Sequence, residues 1–369
     1  MTREYRAVIV GAGRKAGFID DERQPGDRAW LKPWTHASAY QAVPGCRVVA
    51  AADPKDDKLQ ALCDRYGIPG RYHDYREMIE REQPDLVSIT TWAGLHAEVT
   101  IFAAEHGARA IYTEKALACS MAEADAMRAA CRRHRVAFNY GAGRRYRPGY
   151  RQMRQMGETG QLGDVRGVIV NCGMGGLMHG QSHMVDTALH LLGDPEPEFA
   201  QGYIQPASGP DGEPVSGHFD AAANRWLGRT EAEGDPRLAS AYVRFTNGMD
   251  TTIWANGGRW YTFTLVGTTG LAHAYDNNSA YESRRIANSA IFRSESVPFP
   301  PFEDESDTVV AIRELIGALE ADDPQRTSGN IEIAHRGTEI LFAVAQSHLE
   351  DGRRITFPLS NRTMYVPSR

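Results

Sequence analysis

The sequence predicts an α/β protein of two domains: a doubly wound parallel sheet, then an α+β domain with an open, mostly antiparallel sheet. Three observations carry that expectation. Apolar, β-rich runs alternate with helical segments as far as Tyr140, the grammar of a parallel sheet. The first such run opens directly into a glycine-rich turn. Beyond residue 140 the alternation stops, and short strand-like runs separated by turn residues take over. A chain of 369 residues is long enough for two cores. The boundaries read as 1–140 and 141–369, with the C-terminal residues available to pack back on the first domain.

Tyr5–Val10 is the first strand, and Gly11-Ala-Gly13-Arg14-Lys-Ala16 follows it. A Gly-x-Gly-x-x-Ala turn after a strand is the Rossmann dinucleotide fingerprint. Gly11 permits the tight turn, Gly13 lets backbone approach a pyrophosphate, and small Ala16 allows close helix–strand packing. The second strand, Arg47–Ala52, ends in Asp53. An acid there can accept both ribose hydroxyls and repels a 2′-phosphate, which favours NAD over NADP; the structural alternative is that Asp53-Pro54 only starts a helix. The gap between Gly11 and Asp53 is long, and the excess, Phe18–Thr35, reads as a loop insertion. Helices are expected at Lys55–Tyr66, Tyr75–Arg81, Leu95–His106 and Met121–Arg133. Strands are expected at Asp85–Thr91, Ala110–Leu117 and Val136–Tyr140.

The strand at Ala110–Leu117 ends in Glu114 and Lys115. A Lys at the open end of a buried parallel strand is costly unless paired or working, and that end is where α/β folds bind ligands. Lys115 reads as the centre of the active site, the alternative from this stretch alone being a surface lysine at a strand end.

In the second half a helix near Tyr150–Met156 precedes a strand at Asp164–Cys172. A further helix from about His179 closes at Gly193. Strands follow at Ser240–Phe245, Met249–Trp254, Trp260–Val266 and Gly270–Tyr275, with turns at Asn247-Gly248 and Asn256-Gly257-Gly258. Gly209–Gly234 reads as a long polar loop. Helices at Asp307–Leu319 and Ile331–Leu349 end the pattern.

Composition limits the function classes. The formal net charge of −6 argues against a nucleic-acid partner. The basic clusters Arg132–Arg135 and Arg144–Arg147 read as solvated faces, the first ending a helix. Five scattered cysteines (Cys46, Cys63, Cys119, Cys131, Cys172) form no CxxC pair, which speaks against a zinc knuckle or a disulfide framework and for a reducing compartment. No apolar run reaches membrane-spanning length, and the first strand starts too early to leave room for a signal peptide. A cytoplasmic protein without a membrane partner is the expectation.

These residues resemble the Gfo/Idh/MocA family (glucose–fructose oxidoreductase and inositol dehydrogenase). The resemblance rests on Gly11-x-Gly13-x-x-Ala16, on Asp53, and on Thr91 to His96, which is similar to the family's Thr-Pro-Asn-x-x-His loop. It also rests on Glu114-Lys115-Ala116-Leu117-Ala118, similar to Glu-Lys-Pro-Leu-Ala; on Tyr140 through Arg145-Tyr146-Arg147-Pro148; and on His183-x-x-Asp186. There are three departures. Trp92 and Ala93 stand for Pro and Asn, Ala116 for a proline that is often cis in relatives, and His179 for an Asp four residues before the catalytic His.

The resemblance implies hydride transfer between nicotinamide and a hydroxyl-bearing carbon of a sugar, polyol or glycoside. His183 takes the hydroxyl proton and Lys115 stabilises the alkoxide. An imidazole titrates near working pH, a neighbouring ammonium keeps it neutral, and Lys supplies charge where negative charge develops. The cofactor-binding set is Gly11, Gly13, Arg14, Ala16, Asp53, Thr91, His96, Glu114 and Lys115. The substrate-binding set is Tyr140, Arg145, His179 and Asp186. His179, His183, Asp186 and His190 also fall at i, i+4, i+7 and i+11, one helical stripe with metal-like spacing. The reading adopted is no metal, with His190 a packed core histidine. Two rivals stay open: redox-assisted glycoside cleavage with retained NAD, and a non-catalytic NAD-binding regulator. Relatives cover the exposed face of the open sheet between subunits, so a homodimer or homotetramer is expected.

Overall fold

The computed structural model describes residues 4–22, 30–173, 175–205, 217–228, 230–255, 261–291 and 293–368. The chain forms two compact units. The first comprises Met1–Ala118, Ala122–Tyr146 and Glu305–His335; the second comprises Cys119–Met121, Arg147–Asp304 and Arg336–Arg369. Residue 140 ends the parallel sheet, and the first unit continues to Tyr146 and takes in a helix from the chain's last quarter.

The first unit holds six parallel strands: β1 Tyr5–Val10, β2 Cys46–Ala52, β3 Gly70–Tyr72, β4 Leu86–Ile89, β5 Ala110–Thr113 and β6 Ala137–Tyr140. They lie in the order β3-β2-β1-β4-β5-β6, so the strand order reverses beside β1 and the turn after β1 stands at the crevice where such sheets bind ligands. The helices are α1 Arg14–Gly17, α2 His36–Ala42, α3 Asp56–Tyr66, α4 Tyr75–Glu82, α5 His96–Glu105 and α6 Met121–Arg133.

Two of these helices begin at a side-chain cap. The Thr35 hydroxyl caps α2 by accepting from Ser38 N, and the Asp74 carboxylate caps α4 by accepting from Arg76 N. In α3, Leu59, Leu62 and Cys63 recur at helical spacing and bury one face against Ile9 and Ala51. Each leucine so buried is worth about 2 kcal/mol. On the other face Tyr40 of α2 packs with Tyr112 of β5 and with a helix from the last quarter, α9 below.

The second unit carries α7 Pro148–Glu158, β7 Val165–Cys172, α8 Gln181–Leu191 and β8 Pro197–Ile204. It continues with β9 His218–Asp220, β10 Arg225–Leu227, β11 Leu238–Phe245, β12 Asp250–Trp254, β13 Tyr261–Gly267, β14 Gly270–Tyr275, β15 Ala280–Asn288 and β16 Arg293–Val297. Helix α9, Asp307–Ala321, belongs to the first unit, α10 Ile331–Leu349 contributes to both, and β17 Ile355–Thr356 ends the series. Nine strands form one sheet in the order β16-β15-β14-β13-β7-β12-β11-β8-β17. All its pairs are antiparallel except β12 with β7. Asn247-Gly248 does turn β11 into β12, with Gly248 at φ +87°.

Several expectations need correction. The stretch 209–234 is not one loop: its described part contains β9 and β10, paired with each other. Residues 209–216 and 229, the turn at Asn256-Gly257-Gly258, Trp260, and 23–29 of the expected insertion lie outside the described residues. Arg144, Arg145 and Arg147 are not a solvated face; all three are buried. Arg145 donates from Nη1 to the Ser328 carbonyl at 2.5 Å, which makes its burial tolerable. The five cysteines are free thiols. No helix among the described residues is long and apolar enough to cross a membrane.

Candidate active site

The glycine turn is built from β1 outward. Gly11 N donates to Ala52 O at 2.8 Å and its φ is +94°. A Cβ there would sit 3.1 Å from Thr91 backbone and side chain, so both space and conformation call for glycine. Over Gly13, by contrast, a Cβ would meet nothing within 4 Å. That open space lies beside the first turn of α1, whose leading amides have no intrahelical acceptor. Ala16 is fully buried. Arg14 points outward to Glu22, with Nε donating to Oε1 at 2.5 Å.

Asp53 stands at the end of β2 with both carboxylate oxygens engaged. Oδ2 accepts from Ala12 N at 2.8 Å and Oδ1 from Lys55 N at 2.9 Å. The acid therefore ties the glycine turn to the second strand, and each oxygen keeps a lone pair for a ribose hydroxyl. Open space over Gly13 and a fixed acceptor at Asp53 fit the phosphate and ribose of a dinucleotide.

Thr91 lies in the loop after β4, and His96 opens α5 at the end of that loop. His96 is fully buried; Nδ1 lies 2.7 Å from Ala116 O and Nε2 3.1 Å from Thr91 O. Burial pushes its pKa down, against both carbonyl contacts. His96 thus pins the loop after β4 to the loop after β5, where the Lys115–Ala116 peptide is cis. Trp92 stays partly exposed, with Gly94 under its ring.

Glu114 is buried while Lys115 beside it is half-buried. Glu114 Oε1 lies 3.3 Å from His36 Nε2 and 3.7 Å from Lys15 Nζ. Burial alone would raise its pKa. The Lys15 charge, the His36 hydrogen bond and the Lys115 charge outweigh that and hold the carboxyl well below its usual range. Lys15, in the glycine turn, also donates to the Trp34 carbonyl at 2.7 Å and lies 4.2 Å from the Trp34 ring centroid. Neither Lys15 nor His36 stood out in the sequence.

Tyr140 closes β6 and is buried, its carbonyl accepting from Tyr146 Oη at 2.8 Å. Arg145 is fully buried within the first unit.

In the second unit α8 starts at Gln181, after Gly180, so His179 precedes the helix and the expected four-residue stripe loses its first member. The exposed His179 is held by its backbone: its N–H donates to Asp235 Oδ2 at 2.8 Å, and Met178 N donates to Oδ1 at 2.9 Å. Asp235, buried, is a site-shaping residue the sequence reading passed over. His183 lies half-buried in the first turn of α8, and Asp186 is buried one turn on. His190 is buried, with Nδ1 3.5 Å from Arg154 Nη1. Among the described residues no three His, Cys, Asp or Glu side chains group in a way that could hold a metal ion.

A parallel sheet in this order, with a glycine turn after its first strand and an acid after its second, defines a dinucleotide-binding domain. Residues 5–142 match the family described as "Oxidoreductase family, NAD-binding Rossmann fold", GFO_IDH_MocA. The likeness to the Gfo/Idh/MocA oxidoreductases is thus carried by the dinucleotide-binding domain.

D-apiose dehydrogenase of Paraburkholderia graminis is 32% identical over 128 residues, covering 35% of this chain and 34% of its own. D-glucoside 3-dehydrogenase of Escherichia coli is 27% identical over 208 residues, covering 52% and 54%. scyllo-Inositol 2-dehydrogenase (NAD(+)) of Bacillus subtilis is 26% identical over 263 residues, covering 69% and 68%. The first relatives are thus matched over about a third to a half of their length. Among solved structures, aldose–aldose oxidoreductase from Caulobacter crescentus superposes with a TM-score of 0.74 at 17% identity, covering 96% of this chain and 100% of that one. Levoglucosan dehydrogenase with NADH and levoglucosan gives 0.71 at 18%, covering 96% and 100%. At these identities the structural likeness speaks for the fold.

Proposed function

We propose that the protein is an NAD-dependent dehydrogenase acting on a hydroxyl-bearing carbon of a sugar, polyol or glycoside. The observation that carries the reading lies within one domain: an Asp53-anchored glycine turn, and, two strands from β1, a strand followed by buried Glu114 and half-buried Lys115. The relatives' substrates are apiose, glucosides and inositols, which motivates the substrate class.

When bound, NAD would supply the hydride acceptor for the carbinol carbon. Gly11, Gly13, Arg14, Ala16 and Asp53 are the residues to hold it, with Thr91, His96 and Glu114 shaping the adjoining loops. His183 removes the hydroxyl proton, and the Lys115 ammonium stabilises the negative charge that develops on the oxygen. Tyr140, Arg145, His179 and Asp186 are proposed to orient the substrate. Asp53 disfavours a 2′-phosphate, so NAD is preferred over NADP.

We also propose a cytoplasmic homodimer or homotetramer formed through the open face of the nine-stranded sheet. Tyr203, Ser240, Trp254 and Asn171 are register partners across β8, β11, β12 and β7, and Ile169 lies two residues from Asn171 on the same face. Ile169, Tyr203 and Trp254 are each more than half exposed, an apolar row of the kind that marks an interface. Light scattering of a monomer at micromolar concentration would contradict it.

The functional test is NADH accumulation with a panel of D-apiose, scyllo- and myo-inositol, and D-glucosides. Net NADH formation supports the dehydrogenase. Aglycone release without net NADH would mean redox-assisted cleavage, and NAD binding without turnover of any compound would mean a regulator.

A further inference from the structure

A buried polar chain in the first unit takes no part in the steps above. Tyr40 Oη lies 3.0 Å from Ser88 Oγ, Ser88 Oγ 3.0 Å from His36 Nδ1, and His36 Nε2 3.3 Å from Glu114 Oε1. All four side chains are buried. Donor counting gives the chain a single direction. An ionised Glu114 only accepts, so Nε2 carries the imidazole proton; Nδ1 then accepts from the Ser88 hydroxyl, whose oxygen accepts from Tyr40. Burial pushes the Tyr40 hydroxyl well up and the His36 imidazole down, which keeps the first a donor and the second neutral.

The imidazole is fixed in orientation by stacking on Tyr112, with centroids 4.4 Å apart and an interplanar angle of 21°. Charges reach this chain from several elements: Lys15 of α1 and Asp307 of α9 act on His36, and Lys15, Lys115 and His96 interact with Glu114. Gly141 confines the carboxylate from the side of β6, since a Cβ there would lie 2.9 Å from Oε2. Lys115 follows Glu114 directly, and its backbone N–H lies 3.4 Å from Oε2.

We propose that His36 is a positioning residue for the reaction: acting through Glu114, it fixes the counter-charge that keeps the neighbouring Lys115 an oriented ammonium. The proposal rests on the reading of Lys115 as the reacting cation. The ordered donors behind His36 hold the Glu114 carboxylate in one rotamer, and an imidazole that cannot turn cannot release it.

The test needs neither NAD nor substrate. Acetylation of Lys115 by acetic anhydride at mildly alkaline pH, read by mass spectrometry, reports how much free amine is present. His36→Leu is expected to raise the rate about three- to tenfold, because a carboxylate held less firmly favours the ammonium less. Glu114→Gln raises it at least as far, and the double variant matches Glu114→Gln because His36 acts only through that carboxylate. His36→Gln, which keeps a donor toward Glu114, stays near wild type. Ser88→Ala disturbs the core less and gives a smaller rise in the same direction. With a substrate from the panel, His36→Leu lowers kcat about tenfold or more while the NAD dissociation constant holds. Unchanged acetylation in folded His36→Leu or Ser88→Ala, or additive effects in the double variant, overturns the proposal. Absence of turnover in the wild-type chain would overturn the dehydrogenase reading instead, and the acetylation rates would still decide whether His36 acts on Lys115.

Discussion

Replacing Lys15 with Met removes the ammonium that faces buried Glu114. The pair is 3.7 Å apart, with side-chain exposures of 18% and 10%. At an effective dielectric constant of about 20, Coulomb attraction at that separation is about 4.5 kcal/mol. Lys15 also loses its donor contact to the Trp34 carbonyl and its position by the Trp34 ring, about 2 kcal/mol together. Release of the ammonium's own desolvation, and the help His36 and Lys115 still give Glu114, offset part of this. Removing one partner of a buried pair typically costs about 3–5 kcal/mol, and the lower end, about 3 kcal/mol, is the expected loss at neutral pH. For a unit of this size that lowers Tm by about 6–12 °C. Scanning calorimetry of Lys15→Met, with Lys15→Arg as the charge-retaining control, measures it. A Met variant within about 0.5 kcal/mol of wild type would refute the claim that this pair carries the buried charge.

Three further outcomes follow from the same contacts. Because Glu114 is held below its usual range, its contribution is complete above the unfolded value of about 4.3 and is lost as pH falls toward the folded one. The wild-type chain should therefore lose stability as pH drops below about 5, and Glu114→Gln should show a shallower slope in pH-dependent urea unfolding. Gly141→Ala puts a methyl 2.9 Å from both Glu114 Cα and Oε2 and should cost about 1–3 kcal/mol by overpacking; a neutral result in thermal denaturation would mean that the strand ends yield. Asp235→Ala leaves the amides of Met178 and His179 without their acceptor, at about 1–3 kcal/mol each. Turnover should fall with it, because the turn leads into the helix of His183, and Asp235→Asn should recover part of both.

The parallel half was legible because its strands are continuous apolar runs and its turn is a local motif: β1, β2, β6 and the Gly11–Ala16 turn stand within a residue or two of where the sequence puts them, while β5 starts at Ala110 as expected but stops at Thr113, short of Leu117. What escaped has physical reasons. β3 is three residues long and half-buried, and β15 and β16 are exposed and polar, so neither length nor alternation signals them. α2 follows the long excursion after α1, and its cap, Thr35, resembles ordinary loop composition. α8 begins two residues late because Asp235 holds the amides of Met178 and His179 in a turn, a partner 56 residues from His179. The same holds for the site. Lys115 stood out because an ammonium after a buried strand violates a local rule. His36 and Lys15 did not, because the carboxylate that gives them a role lies 78 and 99 residues further along the chain. The buried arginines after β6 were misread because nothing local announces a carbonyl such as that of Ser328.

The account depends on Lys115 acting on bound substrate rather than holding the fold together. Its most direct measurement is Lys115→Met in parallel assays of NAD affinity by calorimetry and NADH formation with a turned-over sugar or polyol. The expected result is a folded protein that still binds NAD, with turnover lowered by about 10²–10⁴ and far more than NAD affinity. Turnover at the wild-type rate, with the fold intact, would contradict it.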